Sequence, residues 1–550
     1  MPVDELSDED IKGTPASPVI YSPPISRVDV AYNAEFSKAV ETTLLDPRSK
    51  RAFKLYFIVM VGFLNAVSSG FDGSLMSGIN AMDQYLDYFG YEQVGVSTGI
   101  VFMIYIVGNV VGAFFAGPLS DIWGRRGGMF TGAFFILIGA AIIASAQNAS
   151  AFLGGRFILG FGISISTTAA PTWVTELAPP QWRGRLGGLY NSCFFIGSIP
   201  ATGAMVGTQK MNSTWAWRLP LILQIFPPII VMCCCWLCPE SPRWYVQKGR
   251  LDKAREVLVG YHSNDGKTNP VIELQLKEFQ DAIEVKKREP FWDYSGLFKD
   301  KNSRWRMLCL VLMSLFFSLV TFNGMLLKVN GQLAGNGLIT YFLPTLMSNA
   351  GVTSKHQQLI YNFANSILSA FGAFSGAALS DRIGRRRRLY IGAFTLAVLL
   401  AMVAALTSAY GKSDNANTAG ANASVAMVFL FGVVYSFTYT PLQALYCAEV
   451  LRQDIRAKGM GIHILISNVA GFINTFGNSV GLGRLGWKYY FVFVGWDLVA
   501  SVLWFLFCVE TRGRTLEELE DVFNSAWPAM ASARKIKVGI KTSGQVDVLE

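Results

Sequence analysis

Apolar residues in this chain fall into blocks of roughly 20, the length of helix that crosses a bilayer, with polar residues gathered between them. The first 50 residues differ: they are polar, mixed in charge and rich in proline (Thr14-Pro-Ala-Ser-Pro, Ser22-Pro-Pro), without helix or strand periodicity. Apolar blocks follow near 55–75, 94–116, 128–146, 151–171, 185–207 and 219–238. A polar stretch, 239–305, separates these from blocks near 307–347, 358–379, 389–409, 424–446, 460–481 and 489–509. The pattern predicts an all-α, polytopic membrane protein with 12 transmembrane helices in two six-helix bundles. The expected organisation is a disordered cytoplasmic tail over 1–50, a bundle over 51–238, a cytoplasmic loop over 239–305, a bundle over 306–509 and a cytoplasmic tail over 510–550. Within the loop, Arg250 to Tyr261 and Ile272 to Lys287 are amphipathic and read as short helices under the bundles.

One block is too long. Met307 to Met347, broken only by Lys328 and Asn330, would make a helix of about 60 Å against a hydrocarbon core of about 30 Å. Splitting it in two would reverse every later connection. Residues 319–330 therefore read as an insertion, or as translated intron from a faulty gene model.

Composition supports the membrane reading, since 15% of residues are charged against about 25% in soluble domains. The net charge of +9 reports orientation, not nucleic-acid binding. Basic residues cluster at Lys50 to Lys54, Arg125–Arg126, Arg183–Arg185, through 243–306, and at Arg382 to Arg388, Arg452 to Lys458 and Arg512–Arg514. The alternate connections hold only Lys210, Arg218, Lys355, Lys412, Arg484 and Lys488. By the positive-inside bias, both termini and the central loop face the cytoplasm. Sequons at Asn148, Asn212 and Asn422 fall on the opposite side, and Asn422, in the polar 410–424 loop, is the best glycosylation candidate. The eight cysteines all lie in apolar blocks. Cys235-Trp-Leu-Cys238 has metal-ligand spacing but no His or acidic companion, so neither a metal nor a disulfide framework is expected.

Two charges sit inside apolar blocks. Asp72, in Gly70-Phe-Asp-Gly-Ser-Leu-Met-Ser-Gly78, ends the first, and Arg156 lies in Phe152 to Thr168. An acid there needs a partner, a proton or water. Read together, Asp72 takes and releases a proton and Arg156 tunes it. Read singly, Asp72 caps a helix end in an aqueous vestibule and Arg156 snorkels to the lipid surface.

The halves repeat. Asp121-Ile-Trp-Gly-Arg-Arg126 returns as Asp381-Arg-Ile-Gly-Arg-Arg386, Glu176 with Arg183 returns as Glu449 with Arg456, and Pro239-Glu240-Ser-Pro-Arg243 is echoed by Glu510-Thr-Arg512. The shared offset makes each half one structural repeat. Arg125, Arg126, Arg385 and Arg386 can reach acids on neighbouring helix ends, and Gly124 and Gly384 allow a tight turn. Each exposed pair is worth about 0–1 kcal/mol, so such pairs suit a collective, reversible latch holding the halves together at the cytoplasmic rim. The plainer alternative is charge that only sets topology.

Gly70-Phe-Asp72, Asp121…Gly124-Arg-Arg, Gly155-Arg156, Pro171…Glu176…Arg183-Gly184, Pro239-Glu-Ser-Pro-Arg243 and the Asp381 motif together resemble the sugar porter branch of the major facilitator superfamily, over about residues 50 to 525. Within the branch, Gly331-Gln332-Leu-Ala-Gly335-Asn336-Gly337 and Phe437-Thr-Tyr-Thr-Pro441-Leu-Gln443 look like the fungal lactose permease and cellodextrin transporter group. The resemblance implies the superfamily's twelve-helix fold and proton-coupled import of a disaccharide or short oligosaccharide by alternating access. Hexose porters usually have Gln-Gln where this chain has Gly331-Gln332, Ile-Asn where it has Asn336-Gly337, and Tyr where it has Trp173; the side chains lost around 331 and 337 would widen the cavity.

Sugar binding calls for amides that donate and accept at once, with aromatic faces. Asn191, Gln332, Asn336, Gln443 and Asn468, with Tyr341, Tyr439 and Trp496, are candidates, the resemblance favouring Asn191, Gln332 and Asn336. Asn365 and Asn468 serve equally as hydrogen-bond glue between helices, and His463 reads as a packed histidine. With no nucleotide-binding loop or catalytic triad, neither an enzyme nor an ATP-driven pump is expected, and no cofactor. The expected partners are a sugar, a proton and the bilayer, for a monomer in the plasma membrane. A sugar sensor is the alternative least suited to a tail of about 40 residues, too short for much folded structure. An exporter of another small molecule is the third reading.

Overall fold

Helix begins where the polar tail ends. Ser49 caps α1 (Lys50–Ile79) by accepting the Ala52 N–H. In the computed structural model the described residues are 45–179, 182–288, 297–315, 335–352, 354–380, 383–410, 418–451, 456–512, 516–533, 537–540 and 546–549. The expected insertion at 319–330 lies outside them.

A short α2 (Asp83–Phe89) joins α1 to α3 (Val96–Ile122), and α4 (Gly124–Ser145) and α5 (Ala149–Leu177) follow as long helices. The fifth block breaks at Cys193 into α6 (Arg183–Ser192) and α7 (Phe194–Thr208). The sixth breaks into α8 (Trp215–Leu223) and α9 (Phe226–Cys234) ahead of Pro227-Pro228, whose rings cannot continue the preceding turn. The loop helices are α10 (Pro242–Gln247), α11 (Leu251–His262) and α12 (Pro270–Arg288). They share a core of Val246, Ala254, Leu258, Ile272, Leu276 and Phe279. Buried His262 docks them on the first half, one ring nitrogen 2.9 Å from the Leu177 carbonyl oxygen and the other 3.1 Å from Gln275 Oε1.

The second half comprises α13 (Lys301–Leu315), α14 (Asn336–Asn349), α15 (Lys355–Leu379), α16 (Arg385–Tyr410), α17 (Thr418–Thr438), α18 (Leu442–Val450), α19 (Arg456–Leu485) and, after a 3-10 turn, α20 (Tyr490–Phe507). Thr418 already begins α17, so Asn422 is exposed on a helix and not in the expected loop. The tail adds α21 (Leu516–Asn524), α22 (Pro528–Ala531) and a ribbon of β1 (Lys537–Ile540) antiparallel to β2 (Val546–Leu549). That ribbon lies in the tail, outside the helical bundles, whose all-α architecture is the expected one.

Seven helical stretches are each long and apolar enough to cross a membrane among the described residues. Of the other apolar blocks, those near 185–207, 307–347 and 424–446 are interrupted by breaks or by undescribed segments, and that near 358–379 is the continuous helix α15. In the first half α5 packs on α3 and α4, and α1 on α7; in the second, α16 packs on α20 and α17, and α15 on α17. The halves meet where α3 lies on α19, α7 on α15 and α1 on α14. At the end away from the chain termini this seam is polar. Ser479 Oγ accepts the Gly95 N–H (3.1 Å) and donates to the Gly95 carbonyl (2.7 Å), Lys355 lies 3.7 Å from Asp83, and Asn362 donates to Ser77 (3.0 Å).

Candidate functional site

Asp72 on α1 and Arg156 on α5 meet inside the first half. Arg156 Nη1 lies 3.0 Å from Asp72 Oδ1, and each side chain is 3% exposed. Arg156 does not snorkel to lipid. The pair is one-pronged: Asp72 Oδ2 and Arg156 Nε have no hydrogen-bond partner among the described residues. Tyr105 of α3 lays its ring over the guanidinium at 4.5 Å, a cation–π contact that steadies the charge without neutralising it. Gly160 makes this approach possible, because a Cβ there would fall 2.1 Å from the Tyr105 carbonyl oxygen. Tyr341, reaching across from α14, packs on Phe102 at 5.2 Å between ring centroids and faces Asp72 and Arg156. A residue expected to line a sugar pocket thus adjoins the charged pair.

At the termini-side rim the two repeats build the same structure twice. Arg125 holds Glu176 with Nε (3.0 Å) and Nη2 (3.2 Å) and reaches Asp121 with Nη1 (3.2 Å). Glu240 caps α4, accepting the N–H of Arg125 (3.0 Å) and of Arg126 (3.2 Å). Ser241 Oγ donates to Glu176 at 2.5 Å. In the second half Arg385 holds Glu449 (2.9 and 3.3 Å), Glu510 caps α16 through the N–H of Arg385 (2.8 Å) and Arg386 (3.1 Å), and Thr511 Oγ1 donates to Glu449 at 2.5 Å. An anion at a helix N-terminus meets both the free N–H groups and the dipole. Burial pushes the Glu240 carboxyl above its usual range, against the pull of Ser241, Arg126 and Arg125.

The glycines serve this cap. A Cβ at Gly124 would lie 2.2 Å from Glu240 Oε2, and one at Gly384 2.4 Å from Glu510 Oε2. Gly124 also has φ +85, whereas Gly384 is not left-handed, so the tight-turn reason holds for the first alone.

Two expectations about the rim are corrected. Every described rim pair joins elements of one half, so these pairs do not bridge the halves in this conformation. The reason is local: Glu240 and Glu510 cap the N-termini of α4 and α16, and Glu176 and Glu449, in the last turns of α5 and α18, meet the arginines at those same N-termini within one repeat. Arg243 is exposed in the first turn of α10 and makes no ion pair among the described residues. The side chains of Arg183 and Arg456, with Asp381 and Gln332, lie outside the described residues.

The sugar candidates are scattered more than assembled. Asn336 opens α14, where its Oδ1 accepts from Thr340 Oγ1 (3.3 Å) and it faces the Tyr435 phenol. Tyr435 stacks on buried Tyr439 at 5.3 Å. Asn191 and Asn468 are half-buried, and Gln443 is exposed beyond the break between α17 and α18. Asn365 Oδ1 is buried without a partner among the described residues.

Sequence reasoning passes over Tyr105, which ordinary helix composition hides, and over Arg306. Fully buried Arg306 binds Asn302 (2.6 Å), the Val450 carbonyl (2.7 Å) and Glu520 of α21 (2.7 Å), docking the tail. It passes over Asp497 too, although an acid inside the 489–509 block carries the same signal as Asp72.

Known proteins agree with this architecture. The proton:xylose symporter XylE of E. coli, bound to 6-bromo-6-deoxy-D-glucose, superposes with a TM-score of 0.69 at 18% identity, covering 86% of this chain and 100% of that one. The likeness shows the major facilitator fold. The MFS-type transporter criB of Aspergillus cristatus is 29% identical over 86% of this chain and 94% of its own length. The high-affinity glucose transporter of Kluyveromyces lactis is 25% identical over 88% of each. These proteins are membrane transporters, and this chain is a multi-pass membrane transporter and not an enzyme. The profile of the sugar (and other) transporter family matches residues 57–523, and the chain belongs to that family.

Proposed function

We propose that this protein imports a sugar together with a proton by alternating access, with Asp72 as the proton carrier and Arg156 as its tuning partner. One observation carries the reading: Asp72 binds Arg156 through a single oxygen, and its other oxygen, buried beside the Tyr105 phenol, has no hydrogen-bond partner among the described residues. A proton can be added at Oδ2 without first breaking the ion pair, and the weakened pair can then part. Tyr341 ties this chemistry to α14, the element that also presents Asn336 to Tyr435. XylE's description as a proton:xylose symporter supports the coupling. The departures at Gly331 and Gly337, which remove side chains, support a disaccharide or short oligosaccharide of the lactose or cellobiose type. The basic connections support cytoplasmic termini in a plasma-membrane protein, with the Ser479–Gly95 seam on the outside. Exposed Asn422 is the glycosylation candidate there.

A second reading, movement of a small molecule other than a sugar, draws on the 29% identity to criB, described only as an MFS-type transporter, against 25% for the glucose transporter.

Labelled lactose, cellobiose, maltose and hexoses offered to a transport-null yeast, with pH recorded during uptake, separate the two. One proton per sugar supports about a tenfold gradient per unit of pH difference. Asp72→Asn should reduce accumulation to parity while sparing exchange. Full accumulation by that variant removes Asp72 as the carrier, and sugar movement indifferent to pH removes the coupling.

A further inference from the structure

Asp497 lies mid-way along α20, fully buried, and neither carboxyl oxygen has a hydrogen-bond partner among the described residues. The titratable groups that face it are the phenols of Tyr435 and Tyr439. The elements packed on α20 bring it no cation among the described residues. From α16, Arg385 is held by Glu449, Arg386 by the Phe505 and Ala529 carbonyls, and Arg388 by Gly376 and Ser380 under the Phe437 ring, while Arg387 is exposed. Arg306 of α13 is held by Glu520, exposed Lys488 lies on the 3-10 turn before α20, and Tyr489 donates to Asn478. Asp72 has an arginine; Asp497 has none.

An apolar interior does not hold a bare carboxylate without cation or donor. We propose that Asp497 is a second proton-binding site, in the second half of the molecule, and that it holds its proton in this conformation. Its place gives the proton a use. Tyr439 opens the non-helical stretch Tyr439–Pro441 that separates α17 from α18. A charge bared against that break disfavours every conformation in which the site stays dry, so rising pH depopulates the closed second half.

Infrared difference spectroscopy of purified protein, stepped between neutral and alkaline pH without sugar, tests the site itself. A protonated-carboxyl band that shifts in heavy water is expected at neutral pH in the wild type and in Asp72→Asn, and its loss in Asp497→Asn. Absence of the band from the wild type, or its persistence in Asp497→Asn, overturns the proposal. Asp497→Glu, which should move the band, serves if the Asn variant does not fold; an unmoved band has the same overturning force. The functional consequence rests on the transport reading: sugar exchange should decline at alkaline pH in the wild type but not in Asp497→Asn, and identical profiles overturn it. The spectroscopic arm needs no substrate, so a failure of the sugar reading leaves it standing.

Discussion

Replacing Gly124 by alanine tests whether the rim carboxylates act as helix caps. The new Cβ would stand 2.2 Å from Glu240 Oε2, on a backbone with φ +85. The carboxylate must retreat from the Arg125 and Arg126 N–H groups, now 3.0 and 3.2 Å away. Hydrogen bonds to charged groups are worth about 1.5–3 kcal/mol each, so weakening both costs about 3 kcal/mol. The left-handed backbone adds about 1–2 kcal/mol. In a Glu240→Ala background the clash has gone, and Gly124→Ala should cost only that backbone share, leaving a coupling of about 3 kcal/mol. Gly384→Ala faces Glu510 at 2.4 Å without the backbone strain and should cost about 3 kcal/mol alone. Denaturant unfolding of purified protein in detergent, followed by tryptophan fluorescence, gives all the values. An equal cost for Gly124→Ala with and without the Glu240 carboxylate would refute the capping argument.

Three further outcomes follow from the same geometry. Arg306→Met removes the donor to Glu520 Oε2, Asn302 Oδ1 and the Val450 carbonyl and should cost about 3 kcal/mol, with the tail after Arg512 becoming sensitive to protease; a tail as resistant as the wild type's contradicts the docking. Burial raises the Glu240 carboxyl in the folded state, so the folded protein binds that proton more tightly than the unfolded chain does. Its contribution is fully present below the unfolded value and is lost as pH rises through the raised folded one, so the wild type should gain stability over Glu240→Gln as pH falls through the acid range; parallel curves count against it. Ser479→Ala removes both hydrogen bonds to Gly95, about 2 kcal/mol together. Labelling of Thr475→Cys, buried one helical turn from Ser479, by a water-soluble thiol reagent should then rise by a factor of about 5–30, and an unchanged rate would mean that the seam does not hold that end shut.

The sequence by itself determined the helical class, the two-part layout, the repeat and the identity of the rim acids and arginines. Those depend on quantities that run along the chain: the length of an apolar block, the spacing of a motif, the alternation of basic connections. It also marked Asp72 and Arg156, because a charge in a long apolar run stands out whatever surrounds it. Only the tertiary structure decided what each charge meets. Whether Arg156 finds Asp72 or lipid depends on which faces of α1, α3 and α5 touch, and Gly160 settles that by letting α3 approach. Tyr341 adjoins the ion pair because α14 lies against α1 across the seam between the halves. Glu240 and Glu510 cap helices of their own repeat because each returning chain passes the N-terminus of α4 or α16. Asp72 and Asp497 look alike in one dimension; packing gives the first an arginine and the second only phenols.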